Sequence, residues 1–295
     1  ERVRFELTDG CPSTVFKTVA IDHSATSPSV PKGTLNPMEL GLSGKVAMVA
    51  AASKGIGLAI AELLSEEGCV VSICGRTEDT LAAAVEAIPG DPRSYVVDVS
   101  NPDDLKWWVE QTRADLGDPQ ILVTNTGGPP AGMLTEMTDE QWDQGFESTL
   151  MNVIRLVRLV TPDMTATGWG RIVHITSLVA REPSPVLPIS STLRAGLVAL
   201  TRLQAKELGP AGITVNAVLP GHTLTDRQRH LADLRATREG ITQEEALVKQ
   251  AAEIPIGRLA QPNEIAAAVA FLCSERAGYV TGESLLVDGG LTRGI

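Results

Sequence analysis

From Lys45 onward, short apolar runs alternate with helical patterns, and no other feature of the sequence restricts the fold as strongly. The runs cover residues 46–50, 69–74, 94–98, 121–125, 172–176, 214–218 and 285–287, with apolar or β-branched residues in succession. A strand that is apolar along its length is buried on both faces, the environment of a parallel sheet covered by helices. Between the runs lie helical patterns at 58–67, 80–88 and 265–272, the last opened by Pro262 near its first turn. Seven strands with intervening helices predict an α/β fold, a doubly wound, seven-stranded parallel sheet. Right-handed crossovers place its helices on both faces. A chain of 295 residues accommodates one such domain.

The beginning of the chain has a different character. Positions 24–37 are rich in Ser, Thr, Pro and Gly, as linkers are, and Met38 opens a stretch that suits a domain start. The expected organisation is an N-terminal extension or linker at 1–37 and an α/β domain at 38–295. A net charge of −11 argues against nucleic acid as the main partner. No run of apolar residues is long enough to cross a membrane, so no membrane association is expected. No charged start followed by an apolar core marks a secretory signal. The four cysteines, Cys11, Cys69, Cys74 and Cys273, have no zinc-binding spacing, and no metal site is expected. They read as buried free thiols, which suits the cytoplasm.

The first strand runs into Ala51-Ala52-Ser53-Lys54-Gly55-Ile56-Gly57 and then a helix. Backbone N–H groups at such a helix start hold a pyrophosphate, and Gly57 permits close packing of helix on strand. NAD sites carry an acidic residue about 20 positions past the glycines, which binds the ribose 2′-hydroxyl. Here that point is Arg76, since 76 − 57 = 19, and Lys54 sits inside the turn. Two cations suit the 2′-phosphate of NADP(H), which a guanidinium grips bidentately.

The turn resembles the Thr-Gly-x-x-x-Gly-x-Gly fingerprint of the short-chain dehydrogenase/reductase family, and the resemblance runs through most of 41–292. Asp98-Val99 is similar to the pair that contacts adenine in that family. Thr124-Asn125-Thr126-Gly127 resembles its Asn-Asn-Ala-Gly turn, and Pro220-Gly221 with Thr225 its loop beside the nicotinamide. Val287-Asp288-Gly289-Gly290 resembles its C-terminal signature. The glycine turn and Gly127-Gly128-Pro129-Pro130 look most like the 3-oxoacyl-acyl-carrier-protein-reductase-like branch. The resemblance implies a Rossmann-type domain that binds NADP(H). Its cofactor residues would be Ser53, Lys54, Gly55, Ile56, Gly57, Arg76, Asp98, Val99, Asn125, Gly127, Arg194, Pro220, Gly221 and Thr225. Two positions depart from the pattern. Ala50 stands at the fingerprint Thr and loses its hydroxyl, and Ala51 stands at the first Gly, where a methyl restricts positive φ.

The family's catalytic centre pairs a strand-end Ser with a Tyr and a Lys four apart on the following helix. Ser177 matches the Ser. Aligning Arg194-Ala195-Gly196-Leu197 with Lys-Ala-Ala-Leu puts Arg194 at the Lys and Ser190 at the Tyr, 190 − 177 = 13 residues past Ser177. A supporting Asn of the family falls at Thr149, with Asn152 one turn later. The only tyrosines are Tyr95 and Tyr279, and no shift of alignment brings either into that helix. The resemblance therefore implies an atypical catalytic set: Ser177, Ser190 and Arg194. An aliphatic hydroxyl is a far poorer acid than a tyrosine, and Arg does not deprotonate. His222, just past Pro220-Gly221, has two readings: an acid beside the nicotinamide, or a loop residue without a chemical role. His174 reads as a strand residue satisfied by its neighbours.

Residues 224–253 fall where the family carries a substrate-covering lid. Five cations against six anions there read as a solvated helical lid with no basic patch. The resemblance also implies a homodimer or homotetramer, paired through helices near 149–161 and 190–203. The expected activity is NADP(H)-dependent oxidoreduction of a small carbonyl or conjugated carbonyl substrate by a tyrosine-less proton path. A non-redox dehydratase, isomerase or lyase, or a cofactor-binding pseudoenzyme, are the alternatives, since a fold alone does not choose.

Overall fold

Every expected strand forms in the computed structural model, which describes residues 39–293. The strands are β1 Val46–Val49, β2 Val70–Gly75, β3 Arg93–Val96, β4 Ile121–Thr124, β5 Gly170–Ile175, β6 Ile213–Pro220 and β7 Ser284–Val287. They pair in parallel in the order β3-β2-β1-β4-β5-β6-β7. The central strands are buried at every position, which is why the sequence shows unbroken apolar runs. Neighbouring residues of one strand feed opposite cores. Ala47 and Val49 face the layer of α1 (Gly55–Glu66), α2 (Glu78–Ala87) and α9 (Pro262–Cys273). Met48 faces the layer of α3 (Pro102–Leu116), α5 (Asn152–Thr167) and α6 (Pro188–Leu208).

Three other helices matter for the site. The short α4 (Asp139–Phe146) is joined to α5 by a π-helical turn, Glu147–Met151. α7 (Asp226–Glu239) and α8 (Gln243–Glu253) occupy the expected lid segment and pack through Ala232, Ala236 and Ala246. Much of their charge is paired, Arg235 with Glu239 and Glu253, and Lys249 with Glu239. Cys69, Cys74 and Cys273 are buried free thiols, as expected, whereas Cys11 and the extension at 1–37 lie outside the described residues. Among the described residues no helix is long and apolar enough to cross a membrane, and no cluster of metal-ligating side chains occurs.

The chain crosses in opposite directions from β1, to β2 on one side and to β4 on the other. This is the topological switch point, and in open α/β sheets ligands bind in the crevice beyond the strand C-termini there.

Candidate active site

A cleft of about 1190 Å³ opens at that point. Its size exceeds a typical drug-sized pocket and leaves room for a dinucleotide with a small substrate beside it. The C-terminal ends of β1, β2, β4, β5 and β6 supply its floor, and α7 supplies part of its wall. Of the residues expected to form the catalytic set and to bind the cofactor, all but Gly57 line this one cleft.

The glycine turn is built by close approach. A Cβ on Gly57 would lie 2.6 Å from the Ala51 carbonyl oxygen and 2.8 Å from Asn125 Nδ2, so Gly57 sits behind the cleft wall and lets helix meet strand. Asn125 ties the turn to β4, its Nδ2 donating to the Ala51 carbonyl at 3.1 Å. Ala51 takes φ +47°, the left-handed conformation that the fingerprint glycine would adopt freely. Ala50 is fully buried, and its N–H bonds to Val123 O at 3.0 Å. α1 then starts at Gly55 with no side-chain cap from Lys54, which leaves its first N–H groups for an anion.

Arg76 is exposed just past β2 and lines the cleft. Lys54 also lines it, but its Nζ is 3.1 Å from Asp226 Oδ2 of α7 in an exposed ion pair. Asp98 accepts from Ser100 N and Oγ at 2.9 and 2.7 Å. The Ser100 hydroxyl bond is the main cause holding its carboxyl below the ordinary range, with Arg76 a smaller one. Val99 is buried beside it. Gly221 can carry no side chain, because a Cβ there would lie 2.6 Å from Asp288 Cα. Thr225 caps α7, accepting from Gln228 N at 3.3 Å, and its methyl would touch any Cβ on Gly55.

Ser177 follows β5, and its Oγ accepts from Val179 N at 3.3 Å. Ser190 and Arg194 stand one turn apart on α6, on the same face. Arg194 is 6% exposed. Its Nη1 donates to the carbonyls of Ile175 and Thr176 at 2.9 and 2.7 Å, and its Nε to Ser190 Oγ at 3.2 Å. These bonds hold the guanidinium against the end of β5, beside Ser177. Burial, and after it the charge of Arg227, lowers its pKa to about 10, so it stays cationic at neutral pH.

Several expected residues stand apart from this group. His222 does not line the cleft. It borders a separate cavity of about 110 Å³ with Ile254 and Asp288, a position that favours the second of its two readings. His174 is fully buried between Thr124 Oγ1 and Gln204 Oε1, both at 2.8 Å, and burial lowers its pKa to about 4. The neutral ring thus accepts from Thr124 and donates to Gln204. Thr149 and Asn152 are buried at the π-turn, where Thr149 Oγ1 and Asn152 Nδ2 have no hydrogen-bond partner. Neither lines the cleft. Tyr95 donates to Asp115 Oδ2 at 2.8 Å on the rim of the sheet, and Tyr279 is fully exposed. No tyrosine or histidine lines the cleft among the described residues.

One residue escaped the sequence reading. Arg227, in the segment read as solvated, is half-buried in the cleft, its Nη2 donating to Pro129 O at 2.6 Å. A cation in the first turn of a helix opposes the helix dipole, and that was the available signal.

The fold and the fingerprint turn define the class. A family model described as enoyl-(acyl carrier protein) reductase matches residues 50–292, and the chain belongs to the short-chain dehydrogenase/reductase family. Among its relatives is the 3-oxoacyl-[acyl-carrier-protein] reductase FabG of Escherichia coli, 36% identical over 252 residues, 85% of this chain and 99% of that one. A solved L-sorbose reductase from Gluconobacter frateurii, complexed with NADPH and L-sorbose, superposes with a TM-score of 0.83 at 35% identity, covering 88% of this chain and all of the other. A short chain oxidoreductase from Pseudomonas aeruginosa, described as containing an atypical catalytic center, superposes at 0.79 with 35% identity, over 86% of this chain and 100% of that chain.

Proposed function

We propose that this protein is an NADP(H)-dependent oxidoreductase that reduces a carbonyl or conjugated carbonyl group without a catalytic tyrosine. The observation that carries this reading is the buried Arg194, held by Ser190 and the β5 carbonyls beside Ser177 in the cleft. The relatives support it, since the solved L-sorbose reductase carries NADPH and another neighbour is an oxidoreductase with an atypical centre.

The residues present fit the dinucleotide. The uncapped start of α1 suits its pyrophosphate, the cleft at Gly55 is free of a side chain, and Arg76 stands where a 2′-phosphate is read. Reduced nicotinamide, when bound, supplies the hydride. The chain's own groups handle the oxygen. Ser177 Oγ accepts from Val179 N, and Ser190 Oγ accepts from Arg194 Nε, so both hydroxyl protons are left to donate to a substrate oxygen. The Arg194 charge lies beside the oxygen as it turns negative, where a fixed cation in a buried site stabilises most. Arg194 keeps its own protons, so the proton that completes the alcohol comes from water in the cleft.

The test is consumption of NADPH and NADH against a panel of carbonyl compounds, with calorimetric titration of both nucleotides. NADPH binds roughly 10–150-fold more tightly than NADH on this reading, the worth of charge-assisted bonds to the 2′-phosphate. Arg76→Ala removes the preference. Equal affinities, or no carbonyl-dependent consumption of either nucleotide, contradict it.

A further inference from the structure

Of the arginines that line the cleft, Arg194 and Arg227 are the two drawn out of solvent, and no carboxylate neutralises either. Arg194 uses Nε and Nη1 on Ser190 and two carbonyl oxygens of β5. Arg227 reaches in from α7, bonds Pro129 O, and lies against Gly128, where a Cβ would come within 3.0 Å of its Nε. The glycine leaves the space that this guanidinium fills. Among the described residues neither arginine forms an ion pair. Of the carboxylates lining the cleft nearby, Asp226 is paired with Lys54 at 3.1 Å, Glu147 is paired with Arg155, and Asp143 is exposed.

Three costs coincide here. Arg194 is buried as a cation whose partners, one hydroxyl and two carbonyl oxygens, carry only partial charge. Arg227 sits in the first turn of α7 against the helix dipole. The two like charges also act on each other, the charge of Arg227 depressing the Arg194 pKa after burial has done so. An anion in the cleft relieves all three. A planar carboxylate matches the fork of a guanidinium bidentately.

We propose that the substrate carries a carboxylate in addition to its reducible carbonyl, bound by the guanidinium of Arg227 together with Nη2 of Arg194, which Nε and Nη1 leave as the remaining donor. The inference rests on the carbonyl-reductase reading and narrows its substrate class to oxo acids.

The test reads binding apart from turnover. Pyruvate, acetoacetate and levulinate, and the methyl ester of each, are titrated calorimetrically into the NADP⁺-loaded protein. At least one acid binds roughly 10-fold or more tightly than its own ester, the least that charge-assisted bonds supply. Arg227→Met brings that pair to within about 2-fold, and Arg227→Lys, which keeps the charge, retains part of the preference. NADPH affinity, measured in each variant, reports whether the cleft is still formed. Esters binding the parent as tightly as acids overturn the proposal, as does an acid preference that survives in Arg227→Met. An acid preference without any reduction of the acids supports the carboxylate site and counts against the reductase reading alone.

Discussion

At the scale of single residues, the glycine turn shows what a one-methyl departure does. Ala51 adopts φ +47° where the family fingerprint has glycine, so the turn keeps its shape and the alanine carries the strain. Left-handed backbone costs a non-glycine residue about 1–2 kcal/mol, and glycine gives back part of that through its freer unfolded chain. Ala51→Gly is expected to stabilise the protein by about 0.5–1 kcal/mol in urea unfolding. Gly57 allows no such latitude, because a Cβ there would lie 2.6 Å from the backbone oxygen of the same Ala51. Gly57→Ala is expected to abolish NADPH binding in calorimetry, since helix and turn must part to admit the methyl. The sequence made both glycine and alanine positions visible but not how the turn resolves the conflict, which depends on Asn125 arriving from β4 to hold the Ala51 carbonyl.

At the scale of elements, the β4–β5–α6 sandwich carries the catalytic candidates and is pinned by one histidine. His174 joins Thr124 of β4 to Gln204 of α6, neutral, with a pKa near 4 against an ordinary value of 6.5. The folded form resists protonation and the unfolded form does not. Stability from this residue is therefore fully present above pH 6.5 and falls as pH drops from there toward 4. The full loss is about 3 kcal/mol. His174→Gln lowers stability at neutral pH but flattens the fall between those limits, checked by urea midpoints at several pH values; an unchanged slope contradicts the assignment. The elements themselves were largely legible. Parallel strands buried on both faces must be apolar throughout, so β1, β4 and β5 announced themselves, whereas Ser177, Ser190 and Arg194 were singled out only through the family resemblance. The π-turn at Glu147–Met151 was not legible, because its residues read like any helix and only the packed chain decides the extra residue. Arg227 was missed for a related reason: counted within its own segment it is one charge among eleven, and only the fold brings it to Gly128 and Pro129.

At the scale of the whole molecule, one apolar side chain stands out on α6. Leu203 is 63% exposed in the C-terminal half of that helix, where the family resemblance implies subunit pairing. We expect a homodimer or homotetramer by light scattering at micromolar concentration, and Leu203→Glu is expected to shift it toward the monomer. A monomeric parent protein contradicts this. On the proposed function, a cleft without tyrosine or histidine among its described lining reduces a carbonyl with two hydroxyls and a buried arginine. The most direct test is the single-turnover rate of NADPH oxidation on a substrate found in the carbonyl panel, in the parent, Ser177→Ala and Arg194→Met, with NADPH affinity measured alongside to show that the cleft is intact. Loss of preorganised donors to a developing oxyanion predicts a rate lower by about 100-fold or more in each variant; unchanged rates in both would contradict the account.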